Sequence, residues 1–476
     1  MRFKNIYKYV LAFGVLASVG SCTEDNLDLL PKIDEVYEGK VFSLDELQQM
    51  LNNSYGSISS GSAYGADAIV FGELMSDNAF LSIQHDGYYV SVNQMNFTDA
   101  SSDAGTAWSQ NYRIIRDANL IIHSDTELLA TDPAIMEIRA QAHMMKGLAY
   151  FTLAQYFSPS PALGMDSPYG IVLKPNAWDP EDLAQRSSLK DTYAEIVKEL
   201  ELGLANAPDN SEQKIRLTKT VAKFLLAKVH LHFGNNEKAI AFANEVINNS
   251  PAEYDFIDPA DLVDYFTASK NVEFQEGKPE TIWEIPQTDV HNLQVNGHPG
   301  VFFANNGQHR SIMYRPSFKD TFVGDIRFPI FGVLGSEMDI PRGLFIRKWQ
   351  RANSEGPFTQ NIKVFRMTEA KFIKWEAMAK MGQGSTVLTE LNEFAMTRNS
   401  NTYSGDALTA VLEEKRREFF GEGHRYHDLK RNALAIVKET NCTANCNIEA
   451  TDKLFVFPIP FGERQKNPEI EQYPGY

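Results

Sequence analysis

Apolar side chains recur at three- and four-residue spacings through much of the chain, and this pattern predicts a mainly helical fold. The run Ser43-Leu-Asp-Glu has the form of a capping box and precedes apolar residues at helical spacing, so a helix should begin at Leu44. Further helical patterns begin at Ala107 and extend over 134–157. Residues 64–95 interrupt them with Gly, Asn and Asp among aromatic residues, which indicates loops.

The stretch from Thr218 to Pro251 predicts two helices that pack as a pair. Its order is a helix, a Gly234-Asn-Asn turn, a second helix and a proline, with small residues at Ala227 and Ala239. Small side chains allow two helices to approach closely, and the pattern resembles one tetratricopeptide repeat. Weaker copies pair 134–157 with 188–205 and 365–380 with 385–397.

The second part of the chain is less regular and begins near Ser269. Thr281-Ile-Trp-Glu-Ile alternates apolar and polar residues, which predicts a strand. From Asn292 to Gly356 the chain is rich in Gly, Pro, Asn and aromatic residues without a helical period. A loop region of this length inside a compact protein is usually functional or mobile.

Helical spacing returns between Leu408 and Arg431, where charged residues are unusually dense. The first half predicts a helix that ends at Gly421 and Gly423, because glycine adopts the backbone angles of a turn. A short second helix should begin near His424. The stretch is therefore expected to form a helix, a turn and a helix.

This density of charge on a partly apolar segment predicts an internal ion-pair network, with Glu413 and Arg417 paired on the solvent side of the helix. The alternative is a functional site, because carboxylates and imidazoles serve as metal ligands and acid–base groups. The His-x-x-His spacing lacks the glutamate of a zincin motif, which favours the structural interpretation. The residues of such a site would be Glu422, His424, His427 and Asp428.

The chain has 476 residues and a formal net charge of −17, so a polyanionic partner such as nucleic acid is disfavoured. A neutral ligand or a protein partner suits this charge. The sequence contains no Gly-x-Ser-x-Gly elbow, no phosphate-binding loop and no His-Glu-x-x-His motif. We therefore predict a protein that is not an enzyme.

Residues 1–21 have the form of a signal peptide. Arg2, Lys4 and Lys8 precede an apolar run over 9–20 that is too short to span a bilayer. The run Val19-Gly-Ser-Cys22 resembles a lipobox, so Cys22 is predicted to carry the lipid anchor. A plain secretory signal is the alternative.

Two cysteines remain after this processing, Cys442 and Cys446, in a polar loop. An exported protein meets oxidising conditions, so a disulfide between these residues is expected. A metal site would need two further ligands, and the neighbouring residues offer none.

The run from Glu414 to Arg431 resembles the C-terminal signature of the SusD/RagB family of surface glycan-binding lipoproteins. The end of the chain, from Phe457-Pro-Ile-Pro to Pro474-Gly-Tyr, is similar to the terminal segment of that family. In the family the signature specifies the fold and has no catalytic role. His427 stands where the family more often has an aromatic residue, which affects only local packing.

The resemblance implies a mostly α fold of tetratricopeptide-like helical pairs with a loop-rich half that carries short strands. Residues 22–268 and 269–476 would form two parts packed as one unit. The implied function is non-catalytic capture of a glycan at the cell surface and its delivery to a SusC-like TonB-dependent transporter in the outer membrane. Only the lipid anchor would contact the membrane, and no cofactor is expected, although a structural Ca²⁺ is not predictable. The alternative is an assembly or lid subunit of the transporter that handles peptide or other non-glycan cargo.

A glycan site needs flat aromatic rings for pyranose faces and polar side chains for hydroxyl groups. The resemblance places such a site on loops, and two stretches rich in these residues are 76–96 and 291–349. Both contain further polar groups, among them Asp86 and His309. The predicted ligand-binding residues are Asp77, Asn78, Tyr88, Tyr89, Asn305, Tyr314 and Trp349.

Overall fold

The computed structural model describes residues 40–177, 179, 183–211, 213–267, 276–349 and 358–476. The predicted signal peptide, the lipidation site Cys22 and the boundary at residue 269 lie outside the described residues. The helices of the first part are α1 Leu44–Ile58, α2 Ala66–Leu74, α3 Val90–Gln94, α4 Ser102–His123, α5 Pro133–Phe157, α6 Leu189–Asn206, α7 Lys219–His232, α8 Asn236–Asn249 and α9 Leu262–Phe266. Those of the second part are α10 Gln294–Gly297, α11 Gly300–Phe303, α12 Pro316–Asp320, α13 Met367–Lys380, α14 Gly384–Thr397, α15 Ala407–Glu418, α16 Arg425–Arg431 and α17 Phe461–Lys466.

The long helices pack in succession, as the hydrophobic spacing predicts. Helices α4, α5, α6, α7 and α8 each contact the next, and α8 then contacts α13, which packs with α14 and α15. The three predicted helical pairs are present as α5 with α6, α7 with α8, and α13 with α14. The capping box at Ser43 is complete, because its hydroxyl accepts from Glu46 N while the Glu46 carboxylate accepts from Ser43 N.

Two glycines allow the close packing of α5 on α6. A Cβ on Gly147 would lie 2.9 Å from the Leu200 side chain, and one on Gly203 would overlap Met144. A larger residue at either position would force the helices apart. The small-residue rule of the tetratricopeptide-like pattern therefore holds at this interface.

The strands are short and form small sheets. The largest sheet has the order β2-β5-β7-β6, and all of its neighbouring strands are antiparallel. Strand β2 comes from the first part of the chain and pairs with β5 from the second part, so both parts contribute to one sheet. The strands are β1 Val41–Phe42, β2 Ala79–Leu81, β3 Asp125–Thr126, β4 Thr281–Ile285, β5 Ile312–Tyr314, β6 Phe331–Leu334, β7 Leu344–Ile346, β8 Ile362–Arg366, β9 Ile436–Val437 and β10 Asn447–Ile448.

The turn between α15 and α16 crosses α2 at very short range. A Cβ on Gly72 would overlap the backbone of Gly423, and Gly423 itself has φ +80° and lies against the α2 backbone. Gly423 N donates to the buried Glu73 carboxylate at 3.0 Å. These two glycines bring the signature segment into the core of the first part of the chain. No helix among the described residues is both long enough and apolar enough to cross a membrane.

Candidate functional site

The two loops predicted to carry the site meet beside the four-stranded sheet. Pairing of β2 with β5 aligns Leu81 with Ile312. The residues after β2 and those before β5 therefore lie next to each other. In this position, stretches that are more than 200 residues apart in the sequence contact one another directly.

Tyr88 is the exposed aromatic residue at this junction, with 40% of its surface accessible. Its ring centroid lies 4.4 Å from that of His309. Its hydroxyl oxygen accepts a hydrogen bond from Asn296 Nδ2 at 3.1 Å. Ring and hydroxyl are thus both held in place while part of the side chain remains exposed to solvent.

His309 lies behind Tyr88 and connects it to the core. The imidazole stacks on Phe302 at 4.9 Å between ring centroids. Its Nδ1 contacts the Asp86 carboxylate, and its Nε2 lies 2.8 Å from Asn296 Oδ1. We call these five residues, Asp86, Tyr88, Asn296, Phe302 and His309, the Tyr88 cluster.

Tyr89 is buried directly below this cluster. It has φ 58°, which turns the chain so that Tyr88 points outward, and its own ring packs on Phe302 at 4.9 Å. The Tyr89 hydroxyl donates to Asp67 Oδ1 at 2.7 Å. Burial raises the pKa of Asp67 to about 7, against the lowering effect of that hydrogen bond.

The disulfide loop supports the same region from the other side. Cys442 and Cys446 are bonded, with Cα atoms 5.8 Å apart. Within this loop, Asn445 Nδ2 donates to Gln94 O at 2.9 Å. The ammonium of Lys438 donates to the C-terminal carbonyls of α2 and α3, at 2.8 and 2.6 Å. Helix α3, which directly follows Tyr88 and Tyr89, is therefore fixed at its end.

Most of the other predicted site residues lie in the interior. Trp349 is 1% exposed, and its indole N–H donates to Gly421 O at 2.8 Å. Tyr314 and Asn78 are buried and both donate to the Glu73 carboxylate, at 2.8 and 3.2 Å. With Tyr89, these side chains already have internal partners and offer no surface to a ligand, so the expectation of aromatic platforms at Tyr314 and Trp349 is corrected here.

The remaining two predicted residues have different positions. The Asp77 carboxylate forms a paired contact with the guanidinium of Arg425, at 2.8 and 2.9 Å. Asn305 is exposed on the loop between Phe302 and His309. Asn296, which completes the contacts of Tyr88, was not among the predicted residues, and no sequence spacing signals its role because Tyr88 lies 208 residues away on the other loop.

The charged signature segment forms an internal ion-pair network, as the structural interpretation predicts. The Arg327 guanidinium bonds Asp325, Glu414 and Glu418 at 2.7 to 3.0 Å. Burial alone would raise the pKa of Glu418, but the guanidinium groups of Arg398, Arg327 and Arg366 outweigh it and hold that pKa well below its usual range. Glu418 is therefore ionised and paired with several arginines in the interior.

Arg417 belongs to this network, so its expected pairing with Glu413 is wrong. The Arg417 side chain is buried and bonds Asp325 at 2.7 Å, whereas Glu413 is exposed. A buried guanidinium needs a buried carboxylate, and the solvent side of the helix supplies none. The partner comes from the loop-rich part of the chain.

The histidines of the signature are also internal groups. Burial lowers the pKa of His427 to about 3 and that of His424 well below its usual value, so both are neutral at pH 7. The Asp428 carboxylate bonds Lys415 and Arg431, at 2.8 and 2.7 Å. Within the ranges that the structure describes, no group of three or more His, Cys, Asp or Glu residues is arranged to hold a metal ion.

Two cavities lie away from the Tyr88 cluster. A cavity of about 90 Å³ lies behind the signature and is lined by Lys228, Glu369 and His427 among others, which is space for a few water molecules. A groove of about 470 Å³ lies between α8, α13 and α14, where the ammonium of Lys371 sits 3.6 Å above the Phe256 ring. Neither joins the two predicted loops.

Comparison with known families identifies two matching regions. A family model described as starch-binding and associating with the outer membrane matches residues 25–231. A model of the SusD family matches residues 340–476. Together the two regions cover more than two thirds of the chain.

Individual relatives are distant in sequence. SusD-like protein P2 of Formosa agariphila is 26% identical over 232 residues, which are 48% of this chain and 44% of that protein, so the chain spans less than half of that relative's length. SusD-like protein P38 of the same organism is 22% identical and aligns over 99% of both chains.

Solved structures show the same fold. A SusD superfamily protein from Bacteroides thetaiotaomicron has a TM-score of 0.82 at 22% identity, over 91% of this chain and 100% of that chain. A laminarin-binding SusD-like protein has a TM-score of 0.70 at 21% identity, over 91% and 99%. The predicted fold, mostly helical with a few short strands, is confirmed by these structures.

Proposed function

The chain belongs to the SusD/RagB family, and from this premise we propose that it is a cell-surface lipoprotein that captures an oligosaccharide or polysaccharide. The captured glycan is delivered to a SusC-like TonB-dependent transporter of the outer membrane, and the protein performs no chemistry on it. Lipid on Cys22 provides the membrane attachment. A laminarin-binding protein among the structural relatives supports a carbohydrate as the ligand.

The observation that carries this proposal is the exposed Tyr88 ring in a polar setting. A pyranose offers flat C–H faces to an aromatic ring and hydroxyl groups to nearby polar atoms. Tyr88 offers a partly exposed ring, and Asn296 and Asp86 beside it supply amide and carboxylate groups. Asn305 and Arg310, both exposed on the same loop, extend the polar surface.

Binding without hydrolysis fits the chemistry of the cluster. A glycosidase holds two carboxyl groups about 5–9.5 Å apart across the scissile bond. Asp86 is the carboxylate of the Tyr88 cluster, and it is already bonded to His309. Such a carboxylate orients a neighbouring side chain and is not poised to protonate a leaving group.

A second candidate function is supported by the burial of Tyr89, Tyr314 and Trp349. Their burial leaves Tyr88 as the exposed ring among the four predicted aromatic residues. This favours a protein that acts mainly as a lid or assembly subunit for peptide or other non-glycan cargo. The two functions differ in whether the free protein binds any glycan.

A glycan array on the protein without its first 22 residues, followed by calorimetry on any hit, distinguishes the two functions. We expect micromolar to millimolar binding of one polysaccharide class, weakened at least tenfold by Tyr88→Ala because the stacking surface is lost. Phe328→Ala is the matched control, since Phe328 is 38% exposed and lies outside the cluster. Absence of binding across the array would contradict glycan capture and favour the second function.

A further inference from the structure

The contacts of His309 bear on whether the Tyr88 hydroxyl can donate a hydrogen bond to a ligand or can only accept one. Nδ1 faces the Asp86 carboxylate, which is an acceptor only, so Nδ1 carries a proton. Nε2 faces Asn296 Oδ1 at 2.8 Å, which is also an acceptor. With the amide in this orientation both ring nitrogens face acceptors, which is the bonding pattern of an imidazolium.

In that state the remaining amide group of Asn296 is a donor. Nδ2 donates to the Tyr88 oxygen at 3.1 Å, so the Tyr88 hydroxyl hydrogen is free to point toward solvent. Tyr88 then offers a ligand a hydrogen-bond donor.

Loss of the Nε2 proton reverses each of these bonds. A neutral imidazole with its proton on Nδ1 has a lone pair on Nε2, which needs a donor. Rotation of the Asn296 amide by a half turn supplies that donor and requires no movement of either ring, because the amide oxygen and nitrogen have nearly the same shape. Asn296 Oδ1 then accepts the Tyr88 hydroxyl hydrogen, and Tyr88 retains only acceptor capacity for a ligand.

We propose that His309 is a specificity-determining residue that sets, through Asn296, whether Tyr88 acts as hydrogen-bond donor or acceptor toward the glycan. The proposal rests on glycan capture at Tyr88. Ring and glycosidic oxygens of a sugar only accept hydrogen bonds, whereas its hydroxyl groups both donate and accept. The protonated cluster can therefore bond ether oxygens as well as hydroxyl groups, whereas the neutral cluster can bond hydroxyl groups alone.

Ring contacts hold His309 in place beside Tyr88. His309 is held between Tyr88 and Phe302, with centroid distances of 4.4 and 4.9 Å. The titratable groups that contact it are Asp86 and Tyr88, while Phe302 and Asn296 carry no charge. The proton that is gained or lost in the two states is the one on Nε2, because Nδ1 faces the Asp86 carboxylate.

The test is the pH dependence of glycan affinity for the wild type and three variants. For a glycan bound through an ether oxygen, wild-type affinity should fall about three- to tenfold as His309 loses its proton, the effect of one hydrogen bond. Asn296→Asp has no amide donor, so its carboxylate accepts the Tyr88 hydroxyl hydrogen whether or not His309 Nε2 carries a proton. Its affinity should therefore be low and independent of pH. His309→Phe keeps the stacked ring and should also lose the pH dependence.

His291→Phe is the matched control and should retain the wild-type profile, because His291 is exposed and its hydrogen bonds in the structure are made by its backbone. A wild-type affinity that does not change with pH, or an Asn296→Asp profile identical to the wild type, would overturn the proposal.

A ligand-free measurement separates this proposal from the proposed function. In protein with ¹⁵N-labelled histidine and asparagine, the side-chain amide resonances of Asn296 should shift with the same midpoint as the His309 ring nitrogens. In His309→Phe the Asn296 amide resonances should not shift with pH. Asn296 resonances that do not change as the His309 ring loses its proton would overturn the proposed coupling between His309 and Asn296. If this coupling is observed but the protein binds no glycan, only the proposed function is overturned.

Discussion

The signature segment over 407–431 and the Tyr88 cluster contain similar residues and use them in opposite ways. Both combine carboxylates, histidine and aromatic rings at a turn of the chain. In the signature most of the charged groups are buried and paired, as Glu418 is with three arginines. In the Tyr88 cluster the carboxylate of Asp86 is half exposed and has one bonded ring, His309.

The difference explains which segment can act on a ligand. Taking a partner from a buried charge leaves an uncompensated ion, so a saturated network is rigid and specifies the fold. Groups near solvent can exchange partners at small cost, because water replaces what is lost. The segment that identifies the family thus has its buried charges committed to internal partners, whereas the proposed binding segment is made of loops.

Removing one carboxylate from the signature should have the largest effect. Glu418→Ala leaves the guanidinium groups of Arg327, Arg366 and Arg398 with one acceptor fewer in the interior. We expect the free energy of unfolding to fall by about 3–5 kcal/mol, measured by urea denaturation. The exposed neighbour Glu413→Ala should cost less than about 0.5 kcal/mol. Equal losses in the two variants would contradict a stabilising network.

The pH dependence of stability should have opposite signs at Asp67 and Asp77. The folded pKa of Asp67 is about 7, above its unfolded value. The contribution of this carboxyl group to the free energy of unfolding is therefore complete below about pH 4 and is lost as the pH rises through 7. Asp67→Asn should therefore be more stable than the wild type at pH 8, by about 2 kcal/mol, and equal to it near pH 4. A variant that is less stable at pH 8 would show that the Asp67 carboxylate is not the source of the effect.

Asp77 provides the reverse case. Burial opposes its ionisation, but hydrogen bonds from Arg425 and the charge of Arg416 lower its pKa to about 2. The contribution of this carboxylate to the free energy of unfolding is complete above about pH 4 and disappears as the pH falls through 2. Asp77→Asn should thus lose about 2 kcal/mol at pH 7 and differ little from the wild type near pH 2. Chemical denaturation across this pH range checks both signs, and a constant difference would contradict the assignment.

Loss of the disulfide should have a smaller effect, confined to the neighbourhood of Tyr88. The double variant Cys442→Ser and Cys446→Ser opens a loop of only a few residues, so the free energy of unfolding should fall by about 1–2 kcal/mol. Because the loop holds the end of α3 through Gln94, glycan affinity should also fall, by a few fold. Reduction of the wild type should reproduce both results, and unchanged affinity would show that the loop does not position Tyr88.

The helical half of the fold was predictable because its signals are local. The capping box at Ser43, the turn at Gly234 and the alanines of α7 and α8 act over a few residues, and the paired helices begin and end within about two residues of the predicted positions. Two expectations were wrong, because α4 begins at Ser102 and not at Ala107, and helix α2 lies within the stretch 64–95 that was expected to form loops. Arg417 was misplaced for the opposite reason, since its carboxylate partner Asp325 lies 92 residues away on a loop.

The site was only partly predictable. The two loops and Tyr88 follow from the residues and the resemblance, but the exposure of an aromatic residue in a loop depends on what packs against it. Trp349 is buried because the turn at Gly421 supplies a carbonyl for its indole N–H. The contact of Asp86 with His309 joins positions 223 residues apart, so no spacing rule predicts it.

The most direct test of glycan capture at Tyr88 is hydrogen–deuterium exchange of the protein with and without a glycan selected on the array. Slower exchange in residues 82–96 and 294–311, with no change in 407–431, is the result that glycan capture at the Tyr88 cluster predicts. Protection confined to the groove beside Phe256 and Lys371, with none near Tyr88, would contradict it and place the glycan on the helical scaffold.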